Sequence, residues 1–243
     1  MKKTLLLCFI HGFKGGDDTF GTGFPERLRE LVAEQLPKVN VRVIVYPKYE
    51  TRGDLAECVD RFRDWLLEKV IDIEVNSGTP SPTIDPSVRT ILIGHSMGGI
   101  VAAETGFTWA SSHLEFVGCL ARGEELRRRV AYMSRVSSEL GVGFGNLYTR
   151  LGKAAPPKQI SMASTVVGNQ RTFCNLPAKT AAGTWLEAVN DAATDETLAH
   201  MTMFEPAQNP GYEKLTTDAA GLIASWTRNE WYESSAEQAG LLM

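Results

Sequence analysis

The sequence predicts an α/β fold with a mostly parallel sheet and helices on both of its faces. Short apolar runs alternate with helix-forming segments along the first hundred residues, an order typical of parallel sheets with right-handed crossovers. The first run, from Thr4 to Ile10, is continuous, as expected for a strand buried on both faces. The third run ends in Gly94-His95-Ser96-Met97-Gly98, a serine bracketed by glycines between a strand and a helix. Ligands bind such sheets at the carboxyl ends of the strands.

The first half of the chain contains three predicted strand–helix pairs. Strands are predicted at residues 4–10, at residues 41–46 and in the apolar run that ends at Gly94. Helices are predicted at residues 25–36, from about Asp54 to about residue 73, and from Ile100 onward, with Asp54 as an N-cap. Residues 78–88, which contain three prolines, are predicted as a surface loop.

The second half of the chain is less regular. Residues 107–148 are apolar and aromatic, and we expect them to form a lid or a helical insertion, with a helix at residues 123–140. Strand candidates follow at residues 171–176 and, more strongly, at residues 184–190. A helix is predicted after the turn at residues 209–212. No linker divides the chain, so residues 1–243 are predicted to form a single domain.

Composition limits the partners of the protein. A net charge of −4 over 243 residues gives no basic field for nucleic acid. No apolar run is long enough to span a membrane, although peripheral membrane contact stays open. The four cysteines are widely spaced, which favours buried free thiols and a cytoplasmic location over a metal or redox motif. No metal or organic cofactor is expected, and the sequence carries no signal for an oligomeric state.

Ser96 is the predicted nucleophile. A serine on a sharp strand-to-helix turn exposes its hydroxyl at the end of the sheet, and a side chain at Gly94 or Gly98 would collide with a neighbouring element. The oxyanion formed by its attack is expected to accept hydrogen bonds from the backbone N–H groups of Met97 and Phe13.

A serine nucleophile needs a base and an acid. Of the four histidines, His200 comes last in the chain and after the last strand candidate, in a predicted loop, which is the position expected for the base. The favoured acid is Asp195, with Asp191 second, and Glu196 would lie nearest His200 if the segment were helical.

Three segments carry a family resemblance: His11-Gly12-Phe13, residues 94–99, and residues 200–212, which begin His-Met-Thr-Met-Phe-Glu-Pro. They resemble the lipase-like serine esterases of the α/β-hydrolase superfamily, in particular the branch near the GPI-inositol-deacylase-type lipases. The resemblance covers residues 3–105 and roughly 107–230. It implies an α/β-hydrolase fold, and a serine hydrolase that cleaves small-molecule or lipid carboxylic esters through an acyl-enzyme.

One departure from that family pattern has a consequence for activity. Such enzymes usually carry another buried strand and an Asp-Thr-Pro-like segment soon after the nucleophile helix, whereas Ala103-Glu104-Thr105 here passes directly into residues 106–109. We expect a block to be absent, so that one core strand is missing or residues 114–120 replace it. The alternative function is therefore a catalytically impaired homologue that acts as a binding or scaffold protein.

Overall fold

The structure is a computed structural model that describes residues 2–13, 15–16, 18–21, 23–80, 84–110, 143–152, 171–173 and 185–235. The chain divides into two compact units, Met1–Cys119 with Ile223–Met243, and Leu120–Leu222. Each unit has its own parallel strands. The prediction of a single domain stays a prediction.

The first unit contains a three-stranded parallel sheet. Its strands are β1 (Thr4–Ile10), β2 (Asn40–Val45) and β3 (Val88–Gly94), in the order β2-β1-β3. All seven residues of β1 are buried, as its continuous apolar sequence predicts. The register places Ile10 opposite Gly94, so β1 and β3 end side by side.

Helices cover both faces of this sheet. They are α1 (Phe24–Gln35), α2 (Leu55–Asn76) and α3 (Met97–Ala110). Successive side chains of β1 point to opposite faces: the ring of Phe9 lies 6.1 Å from that of Phe24 in α1, whereas Cys8 packs in a cluster with Phe62 of α2 and Val101 of α3. The predicted arrangement of helices on both faces is confirmed.

Some of the helix ends lie where the sequence predicts them. Asp54 caps α2 as predicted, its Oδ1 accepting from the N–H of Ala56 at 2.7 Å. The helix α3 runs to Ala110, so residues 107–110, the first residues of the predicted lid or helical insertion, are helical. The apolar sequence of this stretch continues the helix that Ser96 precedes. The rest of the predicted lid, with its helix at residues 123–140, lies in residues 111–142, outside the described part of the chain.

The second unit contains two parallel strands, β4 (Asn146–Leu151) and β5 (Trp185–Asn190), and a short helix, α4 (Glu196–Met201). The strand β5 is predicted, but β4 is not, because its first half falls within the predicted insertion and its residues are mostly half-buried. Arg150 pairs with Glu187 across the two strands, Nη2 to Oε1 at 2.7 Å. Of the strand candidate at residues 171–176, Thr172 forms an isolated bridge with Arg150, and residues 174–176 lie outside the described residues.

Two further helices follow, α5 (Tyr212–Thr227), which begins in the second unit and ends in the first, and α6 (Glu230–Glu233). In the described residues, β3 pairs with β1 alone. The strand segment expected at residues 114–120 lies outside those residues, so the absence of a core strand stays a prediction. No helix in the described ranges is long and apolar enough to cross a membrane.

Candidate active site

Ser96 lies on a sharp turn between β3 and α3. Its φ of 56° is in the left-handed region, which costs a non-glycine residue about 1–3 kcal/mol, and its side chain is exposed. The turn is held on both sides, because the N–H of His95 donates to the carbonyl of Ile10 at 3.0 Å and the N–H of Gly98 donates to the carbonyl of His95 at 2.9 Å. The strand–turn–helix context predicted around Ser96 is therefore present.

The two glycines that bracket Ser96 are required by close approach of the backbone. A Cβ on Gly94 would lie 2.2 Å from the carbonyl oxygen of Gly98, and a Cβ on Gly98 would lie 2.1 Å from the carbonyl oxygen of Ile10. Both distances are far below van der Waals contact. Any side chain at either position would push β3, α3 or β1 apart and displace Ser96.

The segment His11-Gly12-Phe13 leaves β1 directly beside Ser96. A Cβ on Gly12 would lie 2.7 Å from the Cβ of Ser96 and 3.4 Å from the backbone nitrogen of Met97. Met97 is the first residue of α3, so its N–H has no acceptor within the helix. The structure thus brings Gly12, Ser96 and Met97 together. The neighbouring Phe13 is 49% exposed.

Hydrogen bonds fix the backbone of this segment. The carbonyl of Gly12 accepts from the Nδ1–H of His11 at 3.0 Å and from the N–H of Gly15 at 3.0 Å. The hydroxyl of Tyr49 donates to the carbonyl of His11 at 2.9 Å. Tyr49 is a residue that sequence reasoning missed, although it follows β2 at the same edge of the sheet as Ser96. Burial raises the pKa of its hydroxyl, so it remains a hydrogen-bond donor.

His200 lies in the helix α4, not in the predicted loop. The helix forms because Asp195 caps it and Glu196 places an acidic side chain in its first turn. The imidazole of His200 stacks on the ring of Phe173, with centroids 4.2 Å apart and planes within 4°. Thr149 of β4 ties the helix to its sheet, since its hydroxyl donates to the carbonyl of Ala199 at 3.1 Å.

The three candidate acids have different surroundings. Asp195 is exposed, and its Oδ1 accepts from the N–H of Leu198 at 2.8 Å, which is the N-cap bond of α4. Asp191 directly follows β5 and is exposed. Glu196 is buried, and its Oε1 accepts from the Nε of Arg171 at 2.9 Å. The carboxylate of Glu196 is therefore already neutralised by a cation.

The predicted site residues fall in two groups. Ser96, Met97 and Phe13 lie in the first unit, whereas His200 and Asp195 lie in the second. The meeting of His200 with Ser96, and the roles of all five residues, stay predictions.

The sequence also predicts buried free cysteines and no metal site. Cys8 and Cys58 are free and buried, and burial raises the pKa of both thiols. Cys119 and Cys174 lie outside the described residues. Among the residues that the structure describes, no group of three histidine, cysteine or acidic side chains is arranged to hold a metal ion.

Comparison with known proteins identifies the family of the chain. The sequence model of the alpha/beta hydrolase family matches residues 9–241. No curated protein and no solved structure matches the chain. The matched range includes the turn that carries Ser96, the helix that carries His200, the strands β2 to β5 and the last two residues of β1. The chain belongs to the alpha/beta hydrolase family.

Proposed function

We propose that the protein is a serine hydrolase of carboxylic esters, with Ser96 as the nucleophile, His200 as the base and Asp195 as the acid. The observation that carries the proposal is the backbone of Ser96. It is held at a φ of 56°, with its side chain exposed and Gly12 packed against it. Strain of this kind is stored where a side chain must be presented for chemistry. Membership of the alpha/beta hydrolase family supports hydrolysis as the reaction class.

In the proposed reaction, the hydroxyl oxygen of Ser96 attacks the ester carbonyl carbon while its proton passes to the imidazole of His200. The carbonyl oxygen becomes an oxyanion, which accepts hydrogen bonds from the N–H groups of Met97 and Phe13. The C–O bond to the alcohol then breaks, and the imidazolium of His200 donates this proton to the leaving alcohol oxygen.

The acyl-enzyme that results is resolved by water. His200 removes a proton from the water as it attacks the acyl carbon, and the proton returns to Ser96 when the acid is released. An alcohol in place of water would give acyl transfer by the same groups.

The proposed substrate is lipophilic. Phe13, which directly follows Gly12 in the chain, is 49% exposed, and Leu198 and Met201, in the same helix as His200, are 38% and 56% exposed. Exposed apolar side chains on the segments that carry the proposed catalytic groups favour an acyl chain or a lipid surface over a charged substrate. This supports a lipase-like esterase in peripheral contact with lipid, as in the GPI-inositol-deacylase-like branch that the sequence resembles.

A fluorophosphonate probe tests the proposal, because it forms a covalent bond with an activated serine. We expect the folded protein to be labelled, the Ser96→Ala variant to be unlabelled, and the His200→Ala variant to be labelled far more slowly. Heat-denatured protein serves as the control for non-specific reaction, and circular dichroism checks that each variant is folded. A folded wild-type protein that does not react would favour a binding or scaffold role.

A further inference from the structure

The peptide group between Gly12 and Phe13 contains the N–H that is proposed as the second oxyanion donor. A trans peptide is planar, so the carbonyl of Gly12 and the N–H of Phe13 point in opposite directions. No cis peptide bond occurs in the described part of the chain. Any contact that fixes the direction of the Gly12 carbonyl therefore also fixes the direction of the Phe13 N–H, the second donor proposed for the oxyanion.

Two donors hold the Gly12 carbonyl, the Nδ1–H of His11 and the N–H of Gly15, each at 3.0 Å. A carbonyl oxygen can only accept, so the proton of the His11 ring must be on Nδ1. His11 is completely buried, and its Nε2 atom has no hydrogen-bond partner among the described residues. The Nδ1–H of the imidazole therefore donates to the Gly12 carbonyl, and within the described ranges Nε2 makes no hydrogen bond.

Tyr49 in turn holds His11. The two rings lie with centroids 4.6 Å apart and planes at 34°, and the Tyr49 hydroxyl donates to the His11 carbonyl at 2.9 Å. On its other side, Tyr49 contacts Tyr46, with ring centroids 5.1 Å apart. Tyr46 packs on Phe62 and Trp65 of α2 at 5.0 Å and 4.9 Å. Tyr49 thus connects the core of the first unit to the segment beside Ser96.

We propose that Tyr49 is a positioning residue that orients the Phe13 N–H toward the oxyanion, an inference that rests on the proposed serine hydrolase activity. Without its hydroxyl, the carbonyl of His11 loses its donor, and the peptide groups of His11 and Gly12 are freer to rotate. Oxyanion donors act in the transition state and contribute little to substrate binding. Loss of the hydroxyl therefore lowers kcat and leaves KM unchanged.

The test compares Tyr49→Phe with Tyr46→Phe, since each variant removes one hydroxyl from the same aromatic cluster. Hydrolysis of a 4-nitrophenyl ester gives kcat and KM, and thermal unfolding gives Tm. We expect Tyr49→Phe to lower kcat on the order of tenfold, with KM unchanged and only a small fall in Tm from the lost hydrogen bond, and Tyr46→Phe to match the wild type. The affinity for an aryl boronic acid, which becomes a tetrahedral anion when Ser96 bonds to boron, falls in parallel with kcat in Tyr49→Phe.

Each other outcome counts against the proposal. If the wild-type protein shows no turnover, or turnover that persists in Ser96→Ala, the proposed function is overturned, and the role of Tyr49 with it. Turnover that depends on Ser96 but is equal in the two tyrosine variants would overturn the role of Tyr49 alone. A fall in Tm with equal losses in kcat/KM for both variants would identify a merely structural contact.

Discussion

Gly12 and Ser96 are packed so closely that a Cβ on Gly12 would lie 2.7 Å from the Cβ of Ser96. The register of the sheet explains this contact. Ile10, at the end of β1, pairs with Gly94, at the end of β3. The segments that follow these two strands therefore leave the sheet side by side. The candidate nucleophile and one candidate oxyanion donor are thereby held by two adjacent strands.

The first prediction concerns this contact. Gly12→Ala would bring a methyl group against Ser96 and against the carbonyl oxygen of His95, also at 2.7 Å. Neither group is a flexible side-chain end, so the backbone must move, and the oxyanion donors move with it. We expect kcat for ester hydrolysis to fall by about 100-fold. Gly53→Ala is the control, since a Cβ on Gly53 meets nothing within 4 Å. Equal activity of the two variants would contradict the prediction.

The second prediction separates two roles of Asp195. Asparagine is as good an N-cap as aspartate, so Asp195→Asn keeps the bond to the Leu198 N–H and removes only the negative charge. If Asp195 is the acid, kcat falls by about 10⁴-fold without a change in Tm. Asp195→Ala should also destabilise the helix, by about 1 kcal/mol in chemical unfolding.

Asp191→Asn is the matched variant for this experiment, because Asp191 is exposed and is the second candidate acid. We expect it to retain wild-type activity. A loss in Asp191→Asn with full activity in Asp195→Asn would transfer the role to Asp191. Full activity in both variants would show that neither Asp195 nor Asp191 is the acid.

The third prediction concerns the substrate. If the half-exposed ring of Phe13 contacts the acyl chain, Phe13→Ala should lower kcat/KM for a long-chain 4-nitrophenyl ester by about fivefold relative to the acetate, from the apolar area lost. Leu67→Ala is the control, since Leu67 on α2 is 46% exposed, close to the 49% of Phe13. A chain-length preference that is the same in both variants would argue against an apolar acyl site at Phe13.

The fourth prediction is a pH dependence of stability. The hydrogen bond from Arg150 holds the pKa of Glu187 below its ordinary value. A depressed folded-state pKa contributes stability above the unfolded pKa, about 4.3, which is lost as the pH falls through the folded-state pKa. We therefore expect Glu187→Gln to lower Tm at pH 7 and to lose this effect in acid, below that folded-state pKa. Glu57→Gln, which removes an exposed pair with Arg61, should change Tm little at either pH.

The first three strands could be predicted because each contains a short apolar run, which in β1 is continuous. The bounds of β1 are those predicted, and β2 differs by one residue at each end. The strand β4 could not be predicted in this way, since Arg150 within it finds its partner on β5. A helix of six residues such as α4 is too short to show a helical period, so only its cap residue marks it.

By itself, the sequence determined the alternation of strands and helices and the turn that carries Ser96, because apolar runs and obligatory glycines are local properties of the chain. Only the tertiary structure decided that Gly12 packs against Ser96 and that Tyr49 holds the carbonyl of His11. The Tyr49 hydroxyl and its acceptor are 38 residues apart, and strand pairing brings them together. No local pattern encodes such a bond, since its geometry depends on how β1 and β2 align in the sheet.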